Sequence, residues 1–453
     1  MYLEKFKSKG LAHISYIIGN DTEMAVIDPK RDIEDYIYTA SMKGVKITHI
    51  FETHRNEDYV IGSVPLAART GAQIWHGSKL PFEYGNMVED GQVFEFAEFK
   101  LKVINTPGHT DESISIVIYD PQFGDEAVGV FTGDALFIGD VGRTDFFPER
   151  AAEVAGNLYD SIFKRLLPLG DQALLFPAHG AGSVCGSGMA NRDISSLGYE
   201  RKFNPMLQLS REEFISNKTS EHHYKPPYFS KMEQYNLKGP NAVTVPDPQP
   251  ISPNQLNDAF SCGSQVVDIR PPEAFAGAFI PGSISIPSNM LPVYAGWLLS
   301  YDKDIILVGD ENTCLNTAVI NLYRIGYERV KYFLHGGIHS WETSGSKYDH
   351  LKGIFAGDLA QRIESGDDLT ILDVRKKEEF TKGHLPGAQH IFLGYLPDQL
   401  DKIQRDKTVV TFCGSGRRAI IAASILKNAG FEHVNNCFGS IAACRKLDCN
   451  IIS

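Results

Sequence analysis

Residues 266–287 read VVDIRPPEAFAGAFIPGSISIP, and residues 371–392 read ILDVRKKEEFTKGHLPGAQHIF. The two stretches match in register, and the match continues between residues 303–338 and 406–441 after a one-residue gap. Each copy alternates short apolar strands with a loop and an apolar-periodic helix, an order that favours a parallel sheet flanked by helices. The carboxyl-terminal half therefore contains one small α/β domain twice.

Changes in composition around the repeats suggest the domain boundaries. A linker rich in Gly, Ser and Asp lies near 343–354, and the Pro-rich stretch that begins at Lys225 predicts an extended connection from a larger amino-terminal domain. A length of 453 residues is about three times the ~150 residues typical of one domain. We place three α/β domains, the first with a helical extension, at residues 1–245, 250–345 and 354–453.

The composition excludes several classes of protein. Lys plus Arg number 44 against 56 Asp plus Glu, and the formal charge of −12 lacks the positive field that nucleic-acid binding requires. No apolar run approaches the ~18 residues of a membrane span, and the opening residues lack the apolar core of a secretory signal. We expect a cytoplasmic protein whose seven cysteines stay reduced.

Histidine and aspartate recur where predicted strands of the first domain end. His54 follows THIFET, His109 follows VINTPG, Asp134 follows VFTG and His179 follows LLFPA. A polar residue after a strand is by itself a common turn former, yet strand ends also carry the chemistry of many enzymes. His54, His109 and Asp134 supply two imidazoles and one carboxylate, a ligand set that leaves open positions on a non-haem Fe(II).

Four segments surround these residues, in the order ETHRNEDYVIGS, TPGHTDESISI, FTGDALFIGDVGRTDF and FPAHGAGSVCG. They resemble the metal motifs of the metallo-β-lactamase fold, specifically of its persulfide dioxygenase branch. GYERKFNPML and KPPYFSKMEQYN extend the resemblance to bacterial fusions of a persulfide dioxygenase with rhodanese domains. The resemblance implies an αββα sandwich that binds one Fe(II) per chain through His54, His109 and Asp134, in a homo-oligomer that is a dimer or tetramer.

The first segment departs from HxHxDH, the pattern that builds two-zinc hydrolase sites in the wider family. Asn56 and Tyr59 replace two histidines, so a complete binuclear zinc site lacks one ligand for each metal. The fusions that the chain resembles already have tyrosine at the Tyr59 position but usually keep histidine at the Asn56 position. Since that histidine is not an iron ligand in the family, the departure leaves the iron site intact and affects only a hydrogen bond or a proton transfer.

Other residues of these segments have roles that the sequence leaves open. Asp58 and His179 remain from the second metal position and either bind a metal or form a hydrogen-bonded pair that shapes the pocket. Arg143 resembles a residue that the family keeps near its active site, where a cation would hold a substrate carboxylate or an oxyanion; the alternative is a structural salt bridge. Cys185 has either a structural or a reactive role.

The second repeat joins a strand to a helix through the loop FCGSGRRA, which contains Cys413. Backbone N–H groups, the helix N-terminus and two arginines there favour a thiolate. The loop resembles the CxxGxR active-site loop of rhodaneses and has the length associated with sulfur rather than phosphate substrates. The resemblance implies catalysis by Cys413 and Arg418. The cradle for the sulfur atom then consists of Gly414, Ser415, Gly416 and Arg417.

The first repeat lacks this nucleophile. Gly309 stands opposite Cys413, the loop reads GDENTCLNT, and Cys314 falls where the second repeat has Arg418. We expect an inactive domain with a structural or docking role. The alternative is that Cys314 acts as a displaced sulfur acceptor.

The resemblances together imply two linked reactions of small molecules. The first domain would oxidise a low-molecular-weight persulfide, such as glutathione persulfide, with O2 to give sulfite and thiol. Cys413 would then transfer sulfane sulfur from another persulfide to sulfite, giving thiosulfate, in sulfide detoxification. Two alternatives stay open: a glyoxalase II-like binuclear thioester hydrolase fused to a sulfurtransferase, and a sulfur-carrier protein with a silent metal site.

Overall fold

The computed structural model describes residues 1–183, 186, 188–241, 243–310 and 314–453. The chain forms two compact units, which are Met1–Thr244 with Tyr323–Gly326, and Val245–Leu322 with Tyr327–Ser453. Among the described residues, no helix is long and apolar enough to cross a membrane.

Two sheets form the centre of the first unit. The strands of the first sheet are β1 Tyr2–Ser8, β2 His13–Gly19, β3 Glu23–Ile27, β4 Lys46–Phe51, β5 Gln73–Gly77 and β6 Asn86–Val88. They lie in sequence order, antiparallel from β1 to β3 and parallel from β3 to β6.

The second sheet contains β7 Val93–Phe96, β8 Phe99–Asn105, β9 Ile114–Tyr119, β10 Ala127–Gly133 and β11 Leu174–Pro177. Its order is β11-β10-β9-β8-β7, and every neighbouring pair is antiparallel except β10 and β11. In the part of this unit that the structure describes, the helices are α1 Glu34–Lys43, α2 Ser63–Thr70, α3 Ala151–Ser161, α4 Leu197–Phe203, α5 Arg211–Ser220 and α6 Phe229–Lys238. The extended connection predicted from Lys225 onward is wrong over α6, because its prolines flank the helix and none lies inside it.

The alternation of side chains along β2 shows why the unit has layers. Ile14, Tyr16 and Ile18 point into a core that both sheets share with residues such as Phe99. Ile17 points the other way and packs in a separate cluster with residues of α1 and α2. Successive side chains of a strand face opposite sides, so a strand apolar on both faces belongs between two layers. A third cluster packs α3 and α5 on the outer face of the second sheet, which completes an αββα order.

The second unit contains two five-stranded sheets. The first has β12 Gln249–Ile251, β13 Gln265–Asp268, β14 Ile284–Ser285, β15 Ile305–Val308 and β16 Val330–Leu334; the second has β17 Lys352–Ile354, β18 Leu369–Asp373, β19 Gln389–His390, β20 Thr408–Phe412 and β21 Val434–Cys437. Their orders are β12-β16-β15-β13-β14 and β17-β21-β20-β18-β19, and all pairs are parallel. The predicted duplication of a parallel α/β domain is confirmed.

The helices of the first repeat are α7 Pro253–Ser261, α8 Pro272–Gly277, α9 Leu291–Leu298, α10 Leu315–Arg324 and α11 Gly337–Thr343. Those of the second repeat are α12 Ala356–Glu364, α13 Lys377–Thr381, α14 Arg417–Asn428 and α15 Ser440–Lys446. A 3-10 segment, Leu393–Lys402, occupies the place in the second repeat that α9 occupies in the first.

Candidate functional site

The four polar positions that follow predicted strands do follow strands in the first unit. His54 comes after β4, His109 after β8, Asp134 directly after β10 and His179 after β11. Because β4 belongs to one sheet and the other three strands to the second, the site is assembled from both halves of the sandwich.

His54, His109 and Asp134 lie together in the interior. One ligand atom from each lies within 4.8 Å of the other two. The Nε2 atoms of His54 and His109 are 3.8 Å and 3.6 Å from Oδ2 of Asp134, and the three side chains are at most 1% exposed. The sequence singled out these three residues, and the fold brings them to one point.

Hydrogen bonds fix which nitrogen of each imidazole faces that point. Nδ1 of His54 lies 3.0 Å from the Thr53 hydroxyl, which itself donates to Asp28 at 2.7 Å. Nδ1 of His109 donates to the backbone carbonyl of Arg143 at 2.9 Å. The two Nε2 atoms and Oδ2 of Asp134 are buried and have no hydrogen-bond partner among the described residues. Buried polar atoms without a hydrogen bond are costly unless another group compensates them, and a metal ion bound by the trio would do so.

The charges around the trio suit metal binding. Burial lowers the pKa of His54 to about 4, which leaves its imidazole neutral. Burial by itself would raise the pKa of Asp134, but His179, His54 and His109 hold it well below its ordinary value. Burial would lower the pKa of His109, whereas the Glu57 carboxylate raises it to about 9. A metal ion must therefore displace a proton from His109 when it binds.

His179 bridges two carboxylates rather than facing the trio. Its Nδ1 lies 2.7 Å from Oδ1 of Asp134, and its Nε2 lies 3.1 Å from Oδ2 of Asp58. All three side chains are at most 1% exposed. The sequence left two roles open for Asp58 and His179, and this geometry favours the hydrogen-bonded pair. His179 then orients the Asp134 carboxylate through Oδ1 and leaves Oδ2 available for a metal.

The two residues that replace histidines in the first segment are buried. The amide nitrogen of Asn56 donates to the His54 carbonyl at 3.3 Å. The ring of Tyr59 packs on His13 with 4.0 Å between ring centroids. The Asn56 amide oxygen and the Tyr59 hydroxyl have no hydrogen-bond partner in the described part of the chain.

Arg143 has a clear structural partner. Its guanidinium donates two 2.7 Å hydrogen bonds to Asp145 and lies over the Phe146 ring at 4.9 Å. Its backbone carbonyl accepts the hydrogen bond from His109. The geometry thus favours a structural salt bridge as the role of the Arg143 side chain. The backbone carbonyl of Arg143, in contrast, contacts the trio through His109.

Sequence reasoning missed two residues beside the trio. Glu57 is 2% exposed, and its Oε1 lies 3.4 Å from Nε2 of His109. Thr53 connects His54 to Asp28, as described above. Neither residue could be recognised in the sequence. Glu57 lies next to Asp58, which is the acidic residue that the motif predicts, and Thr53 resembles any threonine at the end of a strand. Cys185 lies outside the described residues.

Cys413 directly follows β20, in the loop that leads to α14. Its side chain is buried, and the Gly416 N–H donates to its sulfur at 3.1 Å. Gly416 adopts a φ of +93°, a conformation that glycine tolerates and that turns its N–H toward the sulfur. The Cys413 N–H donates to the Ser440 hydroxyl at 3.1 Å. The loop thus holds the sulfur at a helix N-terminus, where an anion is stabilised.

The two arginines of the loop differ. Arg418 donates two hydrogen bonds, of 2.6 Å and 2.7 Å, to Glu379 of α13. Arg417 and Ser415 are exposed, whereas Gly414 is half-buried. Glu379 and Ser440 were not predicted, since they come from distant parts of the repeat.

The first repeat presents a different arrangement. Cys314 is exposed at the start of α10, and the Thr317 hydroxyl donates to its sulfur at 3.0 Å. This hydrogen bond lowers the pKa of the Cys314 thiol. Residues 311–313 of the loop lie outside the described residues, so the expected inactivity of this repeat stays a prediction that rests on Gly309.

Comparisons with known proteins agree with this division of the chain. Residues 9–179 match the model of the Metallo-beta-lactamase superfamily, and residues 252–344 and 355–446 each match the Rhodanese-like domain.

Among the curated relatives are a persulfide dioxygenase and a hydrolase. Persulfide dioxygenase ETHE1, mitochondrial, of Bos taurus is 29% identical over 231 residues, which are 47% of this chain and 78% of that protein. Hydroxyacylglutathione hydrolase GloC of Haemophilus influenzae is 25% identical over 217 residues, which are 43% of this chain and 91% of that protein.

One solved structure matches across the domains. A metallo-β-lactamase from Staphylococcus aureus subsp. aureus COL shares 30% identity, with a TM-score of 0.66 over 74% of this chain and 98% of that chain. The chain therefore belongs to the metallo-β-lactamase superfamily, as a fusion of one such domain, homologous to persulfide dioxygenases, with two rhodanese-like domains.

Proposed function

We propose that the first domain oxidises the persulfide of a low-molecular-weight thiol. In the balanced reaction, R–S–S⁻, O2 and water give R–SH, sulfite and one proton. The observation that supports it is the buried trio of His54, His109 and Asp134, which offers one ligand atom from each residue within 4.8 Å of the other two. Two imidazoles and one carboxylate are the ligand set of non-haem Fe(II) oxygenases. One Fe(II) held there would supply the redox chemistry that dioxygen requires.

The surrounding residues hold these three side chains in place. Thr53 orients the His54 imidazole, and the Arg143 carbonyl orients that of His109. His179 occupies Oδ1 of Asp134 and so directs Oδ2 to the centre. Such outer hydrogen bonds typically contribute about 10- to 100-fold to metal affinity or activity.

The second rhodanese repeat would carry the sulfur transfer. The Cys413 thiolate attacks the terminal sulfur of a persulfide, a new S–S bond forms, and R–S⁻ leaves. Sulfite then attacks the terminal sulfur of Cys413–S–S⁻, so that thiosulfate forms and the electron pair of the broken bond returns to Cys413. The Gly416 N–H, 3.1 Å from the sulfur, lies where it can stabilise these anions.

The two reactions complement one another within one chain. Sulfite is the product of the first and the acceptor of the second, and covalent linkage raises the effective concentration of such an intermediate. The thiol that carries the persulfide is glutathione or another small thiol. To identify it, oxygen uptake is measured with several synthetic persulfides, and the sulfite and thiosulfate released are both quantified. Oxygen uptake with none of them would contradict the proposal.

A binuclear thioester hydrolase is the second candidate, because the similarity to hydroxyacylglutathione hydrolase covers 91% of that protein. Asn56 and Tyr59 argue against it, since they remove two imidazoles that the two-metal pattern uses. Metal analysis after anaerobic purification separates the possibilities: one iron per chain, two metals, or no metal, as in a sulfur carrier with a silent site. Sedimentation measurements test the expected dimer or tetramer.

Replacing Asn56 by histidine tests the departure from the family pattern. We expect Asn56→His to keep one iron per chain and to change oxygen uptake by less than about tenfold, because the amide is not a ligand but lies beside His54. Iron content and oxygen uptake measure this result. A stoichiometric second zinc together with thioesterase activity would instead favour the hydrolase.

A further inference from the structure

Helix α6, in the helical extension of the first domain, carries one polar side chain on its buried face. Phe229, Met232 and Asn236 are spaced as residues on one face of a helix are, and all three are fully buried. The first two are apolar, whereas Asn236 brings an amide to the same face. A buried amide is costly unless its hydrogen bonds are satisfied, so the partners of Asn236 indicate what this position does.

The hydrogen-bond partners of the Asn236 side chain lie in the loop of residues 54–61, here called the metal loop. Its amide nitrogen donates to the Asn56 carbonyl at 2.6 Å and to the Tyr59 carbonyl at 2.8 Å. Its amide oxygen accepts from the Ile61 N–H at 2.9 Å. Two carbonyls can only accept and an N–H can only donate, so these partners also fix which way the amide points. One side chain thus holds three backbone groups of the metal loop.

The two acidic residues of the metal loop lie between the two carbonyls that Asn236 holds. Oε1 of Glu57 lies 3.4 Å from Nε2 of His109. Oδ2 of Asp58 lies 3.1 Å from Nε2 of His179, and His179 is hydrogen-bonded in turn to the carboxylate of the trio. Both contacts depend on the path of the backbone at residues 57 and 58. A shift of the metal loop would therefore move both carboxylates relative to the trio.

Helix α6 is itself held in place near both ends. The hydroxyl of Tyr228, the residue before the helix, donates to the Asp58 carbonyl at 3.2 Å, and its side chain is buried. Near the other end, the Leu237 carbonyl accepts from the Glu83 N–H at 2.9 Å. A helix anchored at two points gives the Asn236 amide a fixed position from which to hold the loop.

We propose that Asn236 is a positioning residue for the metal site, which holds the metal loop in its binding conformation and so raises the affinity of the trio for Fe(II). Asn236 acts through the loop and is not itself a ligand. The inference rests on the metal site of the proposed function and goes beyond it by making α6 a working part of that site. Outer hydrogen bonds of this kind typically contribute about 10- to 100-fold to metal affinity or activity.

Metal binding by the full-length apoprotein tests this role without any dependence on oxygen chemistry. The metal-free protein is titrated with Co(II), whose visible absorption depends on the number and geometry of its ligands. We expect Asn236→Ala to raise the Kd for Co(II) by about 10- to 100-fold and to alter the absorption spectrum, because three backbone groups of the metal loop lose their partner. An unchanged Kd would overturn the proposal.

Asn20→Ala is the matched control for the loss of a buried asparagine. Asn20 is 6% exposed and directly follows β2, and its side-chain oxygen accepts from the N–H groups of Thr22 and Glu23 at 2.8 Å and 2.9 Å. Its hydrogen bonds lie within that turn and not in the metal loop. We expect Asn20→Ala to lower thermal stability and to leave the Kd for Co(II) unchanged. If both variants weakened Co(II) binding equally, the effect of Asn236→Ala would be a general loss of stability, and the proposal would be wrong.

Two further measurements apply if Asn236→Ala does not fold. Asn236→Asp keeps the size of the side chain and the acceptor for the Ile61 N–H, but its carboxylate lacks both donors, so the same increase in Kd is expected. In the wild-type protein the coupling is reciprocal, so Co(II) should slow hydrogen exchange of the Ile61 amide more than that of the Thr22 amide. Equal changes at the two amides would contradict the proposal.

The wild-type apoprotein separates this inference from the function on which it rests. If it binds neither Co(II) nor Fe(II), the trio is not a metal site and the proposed function fails. If it binds metal and Asn236→Ala binds metal equally tightly, the proposed function stands and α6 has no part in metal binding.

Discussion

Persulfide-dependent oxygen uptake is expected to disappear in His109→Ala. Nε2 of His109 lies 3.6 Å from Oδ2 of Asp134, and both side chains are fully buried. Removing one of the three proposed ligands should cost more than the about 10- to 100-fold that outer hydrogen-bond partners contribute. Iron content after anaerobic purification should fall in parallel, because two remaining side chains hold a metal poorly. An oxygen electrode and metal analysis measure the two effects.

His76→Ala is the control for the loss of a buried imidazole. His76 is 2% exposed, and one of its ring nitrogens lies 2.7 Å from the Tyr84 carbonyl, away from the trio. Its replacement should lower thermal stability but leave one iron per chain and the rate of oxygen uptake per iron. If His109→Ala instead retained one iron and full oxygen uptake, the assignment of the trio would be wrong.

The second large effect concerns the products. Cys413→Ser should leave oxygen uptake within about twofold of the wild-type value, since Cys413 belongs to a separate domain from the trio. Given persulfide and oxygen, the variant should release sulfite with only the uncatalysed background of thiosulfate, because a serine hydroxyl is a weak nucleophile. The loop should keep its shape, as the Cys413 N–H still donates to Ser440. Simultaneous quantification of sulfite and thiosulfate gives the result.

Cys314→Ser provides the matched control in the other repeat. Cys314 is an exposed thiol at the start of α10, so the same change is made where no CxxGxR loop exists. The ratio of thiosulfate to sulfite should stay at the wild-type value. Loss of thiosulfate in Cys314→Ser, or normal thiosulfate in Cys413→Ser, would reverse the assignment of the active and inactive repeats.

The sequence predicted those parts of the site that depend on local order. His54, His109 and Asp134 each follow a strand, and strands that share one edge of a sandwich deliver such residues to one place. Glu57 could not be predicted in the same way. Its position 3.4 Å from His109 depends on how the loop after β4 folds back against the loop after β8, and no spacing in the sequence records that contact.

The two repeats also show that the sequence predicts local order but not contacts between distant residues. Matching DIR and DVR segments predicted two parallel sheets, and both have the same strand order. The alignment of the two repeats also places Gly309 opposite Cys413. It could not show that Trp297 of the first repeat contacts Phe392 and Tyr395 of the second, because a repeat aligns each residue with its counterpart and not with its neighbour in space.

Gly394 lets the Trp297 indole of the first repeat approach the second repeat, since a Cβ atom at position 394 would lie 2.6 Å from that indole. This contact determines whether the second repeat can be separated from the first. A chain shortened to begin at residue 354 would keep every residue of the CxxGxR loop, yet it would lose the indole of Trp297 that covers Phe392 and Tyr395. Uncovered aromatic rings promote association between molecules. The second repeat is therefore not an independent module, because the first repeat covers part of its aromatic surface.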